Sequence, residues 1–99
     1  MLSVHRYRMI VASTGDEALP LLLAGGVDVL ITDISMPGTL DGWALAERAR
    51  LFDPDIPVIY VSSRPTDAAR QVSNSLHLRK PFHPDAIVTA IRQLRPRHA

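Results

Sequence analysis

The sequence contains no cysteine, which excludes a disulfide framework and any metal site that uses thiolate ligands. It also lacks a long apolar run, since no stretch approaches the roughly 18 residues that a transmembrane helix requires. The N-terminus does not have the pattern of a secretory signal peptide. We therefore expect a soluble protein that works in the cytoplasm and does not enter a membrane.

An excess of charge of either sign is absent as well. Eleven Lys and Arg residues stand against ten Asp and Glu residues, and the formal net charge is +1. Without a strong overall field, the chain is expected to bind neither nucleic acid nor a membrane surface directly. Its 99 residues, 46% of them hydrophobic, are sufficient for a single domain with one core.

The stretch from Val27 to Gly38 is the most informative part of the sequence. Its residues Val29 to Thr32 are all β-branched or aliphatic, which is typical of a strand buried on both faces of a parallel α/β sheet. The strand ends at Asp33 and passes into Met36-Pro37-Gly38, which favour a turn. Asp33 is therefore predicted at the carboxyl end of a strand, where open α/β sheets bind ligands.

Strands and helices alternate along the rest of the chain. Thr14 and Glu17 form a capping box that predicts a helix as far as about Ala24. Pro20 within it favours a kink or a later start, because proline removes a helical hydrogen bond. The other predicted helices are at residues 42–52, 65–74 and 84–94, and the predicted strands are at 8–12, 29–33, 58–61 and 76–78.

Three consecutive predicted strands end in Asp33, Ser62 and Lys80. Because the carboxyl ends of parallel strands meet at one edge of a sheet, we expect these side chains to share one shallow pocket. The set suits phosphoryl transfer, which needs an acceptor oxygen and donors around the moving group. Asp33 would be the nucleophile that forms an aspartyl phosphate, while Lys80 and Ser62 would each bind a phosphoryl oxygen.

Three motifs carry a resemblance to a known family. They are Asp28 to Asp33 followed by Met36-Pro37 and Asp41-Gly42, then Ile56 to Ser63, then Lys80-Pro81-Phe82. In this order and spacing, they resemble the response-regulator receiver domains of bacterial two-component systems. The resemblance runs from about residue 8 to 95 of one domain at 1–99, and it implies a flavodoxin-like (CheY-like) α/β fold with strand order 2-1-3-4-5.

The resemblance implies roles for individual residues. Asp33 would be the phosphoacceptor, Ser62 the switch hydroxyl, Lys80 the conserved-type lysine, and the bond before Pro81 would be cis. His77 occupies a second switch position that is often aromatic in the family. The phosphoryl donor would be a histidine kinase or a histidine phosphotransfer protein. The domain would be a regulator rather than an enzyme, and a homodimer is a further expectation.

Mg²⁺ is the cofactor that the resemblance implies. The family holds it with a pair of acidic residues at the end of a first strand, which a first helix follows. We expect this sequence to lack that unit, because its strand at 8–12 matches the family's second strand and roughly 20 to 25 residues would then be missing before it. Asp33 and the carbonyl of Ser35 remain as ligands, so we expect weak Mg²⁺ binding and slow phosphoryl transfer. Asp16 and Glu17 are poor candidates for a replacement pair.

One alternative function follows from this departure. It is a degenerate receiver that binds proteins or dimerises without being phosphorylated. Loss of a central strand also predicts either direct pairing of the strands at 8–12 and 29–33 or a strand supplied by another chain. Other sites are weaker: His5, His77, His83 and His98 lack zinc-site spacing, and the glycines form no nucleotide-binding motif.

Overall fold

The computed structural model describes residues 2–4, 7–35, 38, 40–63 and 68–94. Strands and helices alternate through most of this range, in agreement with the sequence pattern. The strands are β1 (Leu2–Val4), β2 (Tyr7–Ala12), β3 (Val29–Asp33), β4 (Val58–Ser62) and β5 (Ser75–Arg79). The helices are α1 (Gly15–Ala24), α2 (Gly42–Phe52) and α3 (Pro84–Leu94), and a single 3₁₀ turn (Ala68–Arg70) lies between β4 and β5.

The five strands form one sheet in which their spatial order equals their order along the chain. β2 to β5 are parallel, whereas β1 pairs antiparallel with β2 at the edge. Parallel neighbours need crossover connections, and α1 and α2 supply two of them. The predicted architecture, a parallel sheet with flanking helices, is confirmed.

β2 and β3 pair directly, with Met9 opposite Val29 and Ala12 opposite Thr32. In the 2-1-3-4-5 order that the resemblance implies, another strand would lie between them. Of the two outcomes expected for this chain, the structure shows closure of the gap. Buried Asp28 holds the junction, since its carboxylate accepts from the Arg8 N–H at 2.7 Å while its own N–H donates to the Arg8 carbonyl at 2.7 Å.

The core has two parts, one on each face of the sheet. On one face α1 and α2 cover side chains such as Leu30 and Tyr60, and the Trp43 and Tyr60 ring centroids lie 4.7 Å apart. On the other face α3 packs Ile91 and Leu94 against Val29 and Ile59. Because β3 and β4 contribute to both parts, they are buried on both faces as their uninterrupted apolar sequences predict.

Three local features differ from the sequence expectations. β1 falls in a segment with no clear periodicity and was not predicted. The helix expected at residues 65–74 is reduced, where the structure describes it, to the 3₁₀ turn, and residues 64–67 lie outside the described part. α1 starts directly after its Thr14 cap and contains Pro20, so it does not begin later. Within the described residues, no helix has both the length and the apolar character to span a membrane.

Candidate functional site

Asp33 and Lys80 form an ion pair at the carboxyl edge of the sheet. Asp33 is the last residue of β3 and Lys80 follows the last residue of β5. The Lys80 Nζ lies 2.5 Å from the Asp33 Oδ1, and the two side chains are 45% and 31% exposed. The pair is therefore accessible to a reactant from solvent, while the lysine already compensates the charge of the carboxylate.

The start of α2 fixes the backbone of Asp33. The Gly42 N–H donates to the Ile34 carbonyl at 2.8 Å, and a Cβ at Gly42 would collide with the Asp33 carbonyl oxygen. Asp41 caps the helix, its Oδ1 accepting from the Ala44 N–H at 2.8 Å. The Asp-Gly pair thus has a local reason: aspartate caps the helix, and glycine lets the helix approach the strand end.

Lys80 is positioned by the end of β4. Its N–H donates to the Ser62 carbonyl at 2.7 Å, which continues the pairing of Ser62 with Arg79. The following peptide bond, Lys80–Pro81, is cis, as the resemblance implies. The ends of β3, β4 and β5 therefore meet, so that the backbones of Asp33, Ser62 and Lys80 lie at the same edge of the sheet.

The Ser62 hydroxyl is hydrogen-bonded to His77. Its Oγ lies 2.8 Å from the His77 Nε2, and the two residues are diagonal neighbours because Tyr60 is the direct partner of His77 across the sheet. Burial lowers the pKa of His77, and the nearby Arg79 cation lowers it further. The family resemblance assigns both residues to switch positions, but it did not predict this contact, which depends on the register of β4 against β5.

The β2 side of Asp33 has a different chemistry. Since Ala12 is opposite Thr32, the next residue along, Ser13, lies beside the end of β3. Thr14 then caps α1, its Oγ1 accepting from the Glu17 N–H at 3.2 Å. Asp16 is near the loop after β3, because a Cβ on Gly38 would lie 3.3 Å from its Oδ2. The strand itself ends without a carboxylate beside Asp33.

A magnesium site does not fit those side chains near Asp33 that the structure describes. Mg²⁺ needs nearly octahedral oxygen coordination and is usually held by carboxylates. The Oδ1 of Asp33 already faces Lys80, and Ser35 lies at the exposed start of the following loop. Across the described ranges, no three His, Asp or Glu side chains come together in a way that could hold a metal ion. Glu17, the other residue considered for a replacement pair, is exposed in the first turn of α1.

The sequence and the fold have known relatives. The family model described as "Response regulator receiver domain" matches residues 1–92. A probable transcriptional regulator of Guillardia theta, ycf27, is 36% identical over 95 residues, which cover 92% of this chain and 37% of that protein. The sensor kinase CckA of Brucella abortus is 34% identical over 94 residues, which cover 89% of this chain and 10% of that protein.

Solved structures agree with these sequence relatives. A response regulator receiver protein from Sinorhizobium medicae superposes with a TM-score of 0.77 and 36% identity, over 84% of this chain and 69% of that one. The receiver domain of NtrX from Brucella abortus gives a TM-score of 0.68 at 27% identity, over 84% and 74%. The chain spans less than half the length of the curated relatives above. It belongs to the response regulator receiver domain family and has the flavodoxin-like α/β fold of that family.

Proposed function

We propose that this chain is a two-component receiver in which Asp33 accepts a phosphoryl group from a phosphohistidine of a histidine kinase or a histidine phosphotransfer protein. The observation that carries the proposal is the accessible Asp33–Lys80 pair, 2.5 Å long, at the carboxyl edge of the sheet. Membership of the receiver family supports it. The domain then regulates a protein-interaction surface and does not turn over a substrate of its own.

The chemistry follows from the groups at the edge. A carboxylate oxygen of Asp33 attacks phosphorus, and the new P–O bond forms as the P–N bond of the phosphohistidine breaks. The electron pair of that bond returns to the imidazole nitrogen, and the product is an acyl phosphate. Lys80, which was paired with the carboxylate, then pairs with one phosphoryl oxygen, and the Ser62 hydroxyl donates a hydrogen bond to another.

The test is covalent labelling with a small donor that contains a P–N bond, such as phosphoramidate. Intact-mass spectrometry of the wild type should show one added phosphoryl group, which hydroxylamine removes because it is an acyl phosphate. Asp33→Asn should remain unlabelled, whereas Asp55→Asn, which alters an exposed aspartate outside the site, should label like the wild type. Equal labelling of Asp33→Asn and the wild type would overturn the proposal.

A second function, docking without phosphorylation, is favoured by one observation. The β2 side of Asp33 ends in Ala12, Ser13 and Thr14 and supplies no carboxylate for a metal-assisted transfer. In that case the chain would use its surface for self-association or protein binding in a single state. Analytical ultracentrifugation of the wild type, Asp33→Asn and phosphoramidate-treated wild type separates the two functions. The docking module predicts one association constant for all three samples, while the phosphoacceptor predicts a shift in the treated wild type alone.

A further inference from the structure

The hydroxyl of Ser62 is held by a group that can change its charge. Ser62 is the last residue of β4, and its neighbour Val61 is paired with Asp33 across the sheet. The Oγ of Ser62 lies 2.8 Å from the Nε2 of His77. The Ser62 hydroxyl, one donor of the proposed phosphoryl site, is therefore shared with an imidazole ring on the neighbouring strand.

The direction of this hydrogen bond depends on the protonation of the ring. In the neutral tautomer that carries its hydrogen on Nδ1, the Nε2 of His77 accepts the hydroxyl hydrogen of Ser62. A protonated imidazole can only donate, so the Ser62 oxygen must then accept. The hydroxyl hydrogen is in that case available to an acceptor other than His77.

We propose that His77 is a positioning residue whose protonation turns the O–H of Ser62 toward the phosphoryl group on Asp33, so that mild acid promotes the phosphorylated state. The inference rests on the proposed function, because it concerns a donor of the same site. The phosphorylated state would then depend on pH as well as on the supply of phosphoryl groups. His77 acts through Ser62 and does not touch the reacting atoms.

The surroundings of His77 set the pH at which this control operates. On its own strand the facing charge is Arg79, and on β4 its neighbours are Ser62 and the Tyr60 that pairs with it. Around Tyr60 are further charged groups, which are Glu47 and Arg50 of α2 and Arg70 of the 3₁₀ turn. Burial and then Arg79 lower the pKa of His77 from the ordinary histidine value of about 6.5, so protonation of the ring requires a more acidic solution.

The test combines two measurements on the whole chain. The first is an NMR titration of the His77 ring in the wild type and in Ser62→Ala, which removes the hydroxyl. The second is the initial rate of Asp33 labelling by phosphoramidate between about pH 8 and about pH 5, a range that brackets the histidine pKa. His77→Gln keeps a neutral polar side chain at all these pH values. His83→Gln, at an exposed histidine whose Nδ1 accepts from the Asp85 N–H, is the matched control.

We expect the ratio of the wild-type rate to the His77→Gln rate to rise as the pH falls. One hydrogen bond corresponds to a change of about 2- to 10-fold. His83→Gln should follow the wild-type profile, and Ser62→Ala should shift the His77 titration while abolishing the rise. The use of rate ratios removes the pH dependence of the donor itself.

Two results would overturn the inference, and they differ from failure of the proposed function. A wild type that accepts phosphoryl groups with a pH-independent ratio would show that His77 does not control Ser62. An identical His77 titration in Ser62→Ala would show that the two side chains are not coupled. Absence of labelling at every pH would remove the phosphoacceptor function itself, and with it the control, whereas the NMR titration would still report whether the hydrogen bond exists.

Discussion

The two sides of Asp33 differ sharply. On the β4 and β5 side, Lys80 lies 2.5 Å from the carboxylate, and Ser62 of β4 and His77 of β5 form a hydrogen bond of 2.8 Å. On the β2 side, Ser13 follows a strand that ends without a carboxylate. The cation that pairs with Asp33 therefore comes from the β5 side. The sheet tolerates this asymmetry because its scaffold depends on strand pairing and not on the chemistry at its edge.

The β2 side is used for assembly of the sheet. Thr14 caps α1, and Asp28 binds both backbone groups of Arg8 and thereby sets the register of β2 against β3. On this side of Asp33 these residues therefore serve the fold, since they cap a helix and join two strands. Structure and chemistry are thus separable in this domain, and the following changes test how far.

The largest expected effect comes from Gly42→Ala, at the start of α2, where the helix packs against the backbone of Asp33. The added Cβ would collide with the Asp33 carbonyl oxygen, so the strand end or the helix must move. Overpacking against backbone should cost about 3 kcal/mol of the free energy of unfolding, although alanine has the better helix propensity. Urea denaturation measures it. Ala44→Gly in the same turn should cost only about 1 kcal/mol, and an unchanged midpoint for Gly42→Ala would show that α2 is not packed as described.

Lys80→Ala should come next, and its effect should be on chemistry rather than on folding. Removing a charge that stabilises the moving group slows transfer by about 10²-fold. The free energy of unfolding should change by only about 0 to 1 kcal/mol, because the ion pair is half-exposed. Labelling rates with phosphoramidate and urea denaturation measure the two quantities. Lys80→Arg, which keeps the charge, should lie between Lys80→Ala and the wild type, and equal rates for all three would remove Lys80 from the site.

Much of the fold follows from the sequence because its signals are local. β3 and β4 are short apolar runs between breakers, α2 has a clear cap at Asp41, and α2 and α3 each have an apolar face. The closeness of Asp33 and Lys80 follows from one rule, that parallel strands end at the same edge. Strong local patterns joined by one topological rule were sufficient for this half of the site.

The features that sequence missed depend on pairing between distant segments. β1 has three residues and exists through its antiparallel pairing with β2, which no local period encodes. The segment after β4 is fixed by contacts from elsewhere, since the Val72 N–H donates to the Tyr60 hydroxyl and Arg50 binds the Asn74 carbonyl. The Ser62–His77 hydrogen bond likewise needs the register of β4 against β5. Tertiary context overrides weak propensity in such segments.

A smaller effect is expected from Asp28→Ala, which removes the hydrogen bond between the Asp28 carboxylate and β2 and leaves Asp33 and Lys80 unchanged. The Arg8 N–H would lose its acceptor at a partly buried junction, which should cost about 1 to 3 kcal/mol. Urea denaturation gives the total, and hydrogen exchange of the Arg8 amide should show that the loss is located at the start of β2. Asp55→Ala, at an exposed aspartate, should stay within about 0.5 kcal/mol of the wild type. Equal losses for the two variants would mean that Asp28 does not hold the β2–β3 register.

The smallest expected effect is that of magnesium on the wild type. Asp33 is paired with Lys80, and Ser35 offers one carbonyl, so Mg²⁺ would have to give up water for very few ligands. We expect labelling rates with Mg²⁺ and with a chelator to differ by less than about threefold. A transfer assisted by a well-bound metal ion would differ far more, because the metal ion then lowers the barrier by several kcal/mol. Initial rates of phosphoramidate labelling measure the difference.

Ser13→Asp tests whether a carboxylate on the β2 side of Asp33 is enough to make the labelling rate depend on Mg²⁺. It places a carboxylate on the residue that follows β2, beside the end of β3, and should make the rate depend on Mg²⁺. Val11→Asp, two residues earlier at a position that is 55% exposed, adds the same charge farther from the edge and should not. Strong Mg²⁺ dependence already in the wild type would mean that carboxylates reach Asp33 from elsewhere. Asp16, which lies near Gly38, is the first candidate for such a ligand. If it binds Mg²⁺, Asp16→Asn should remove the Mg²⁺ dependence of the wild-type rate.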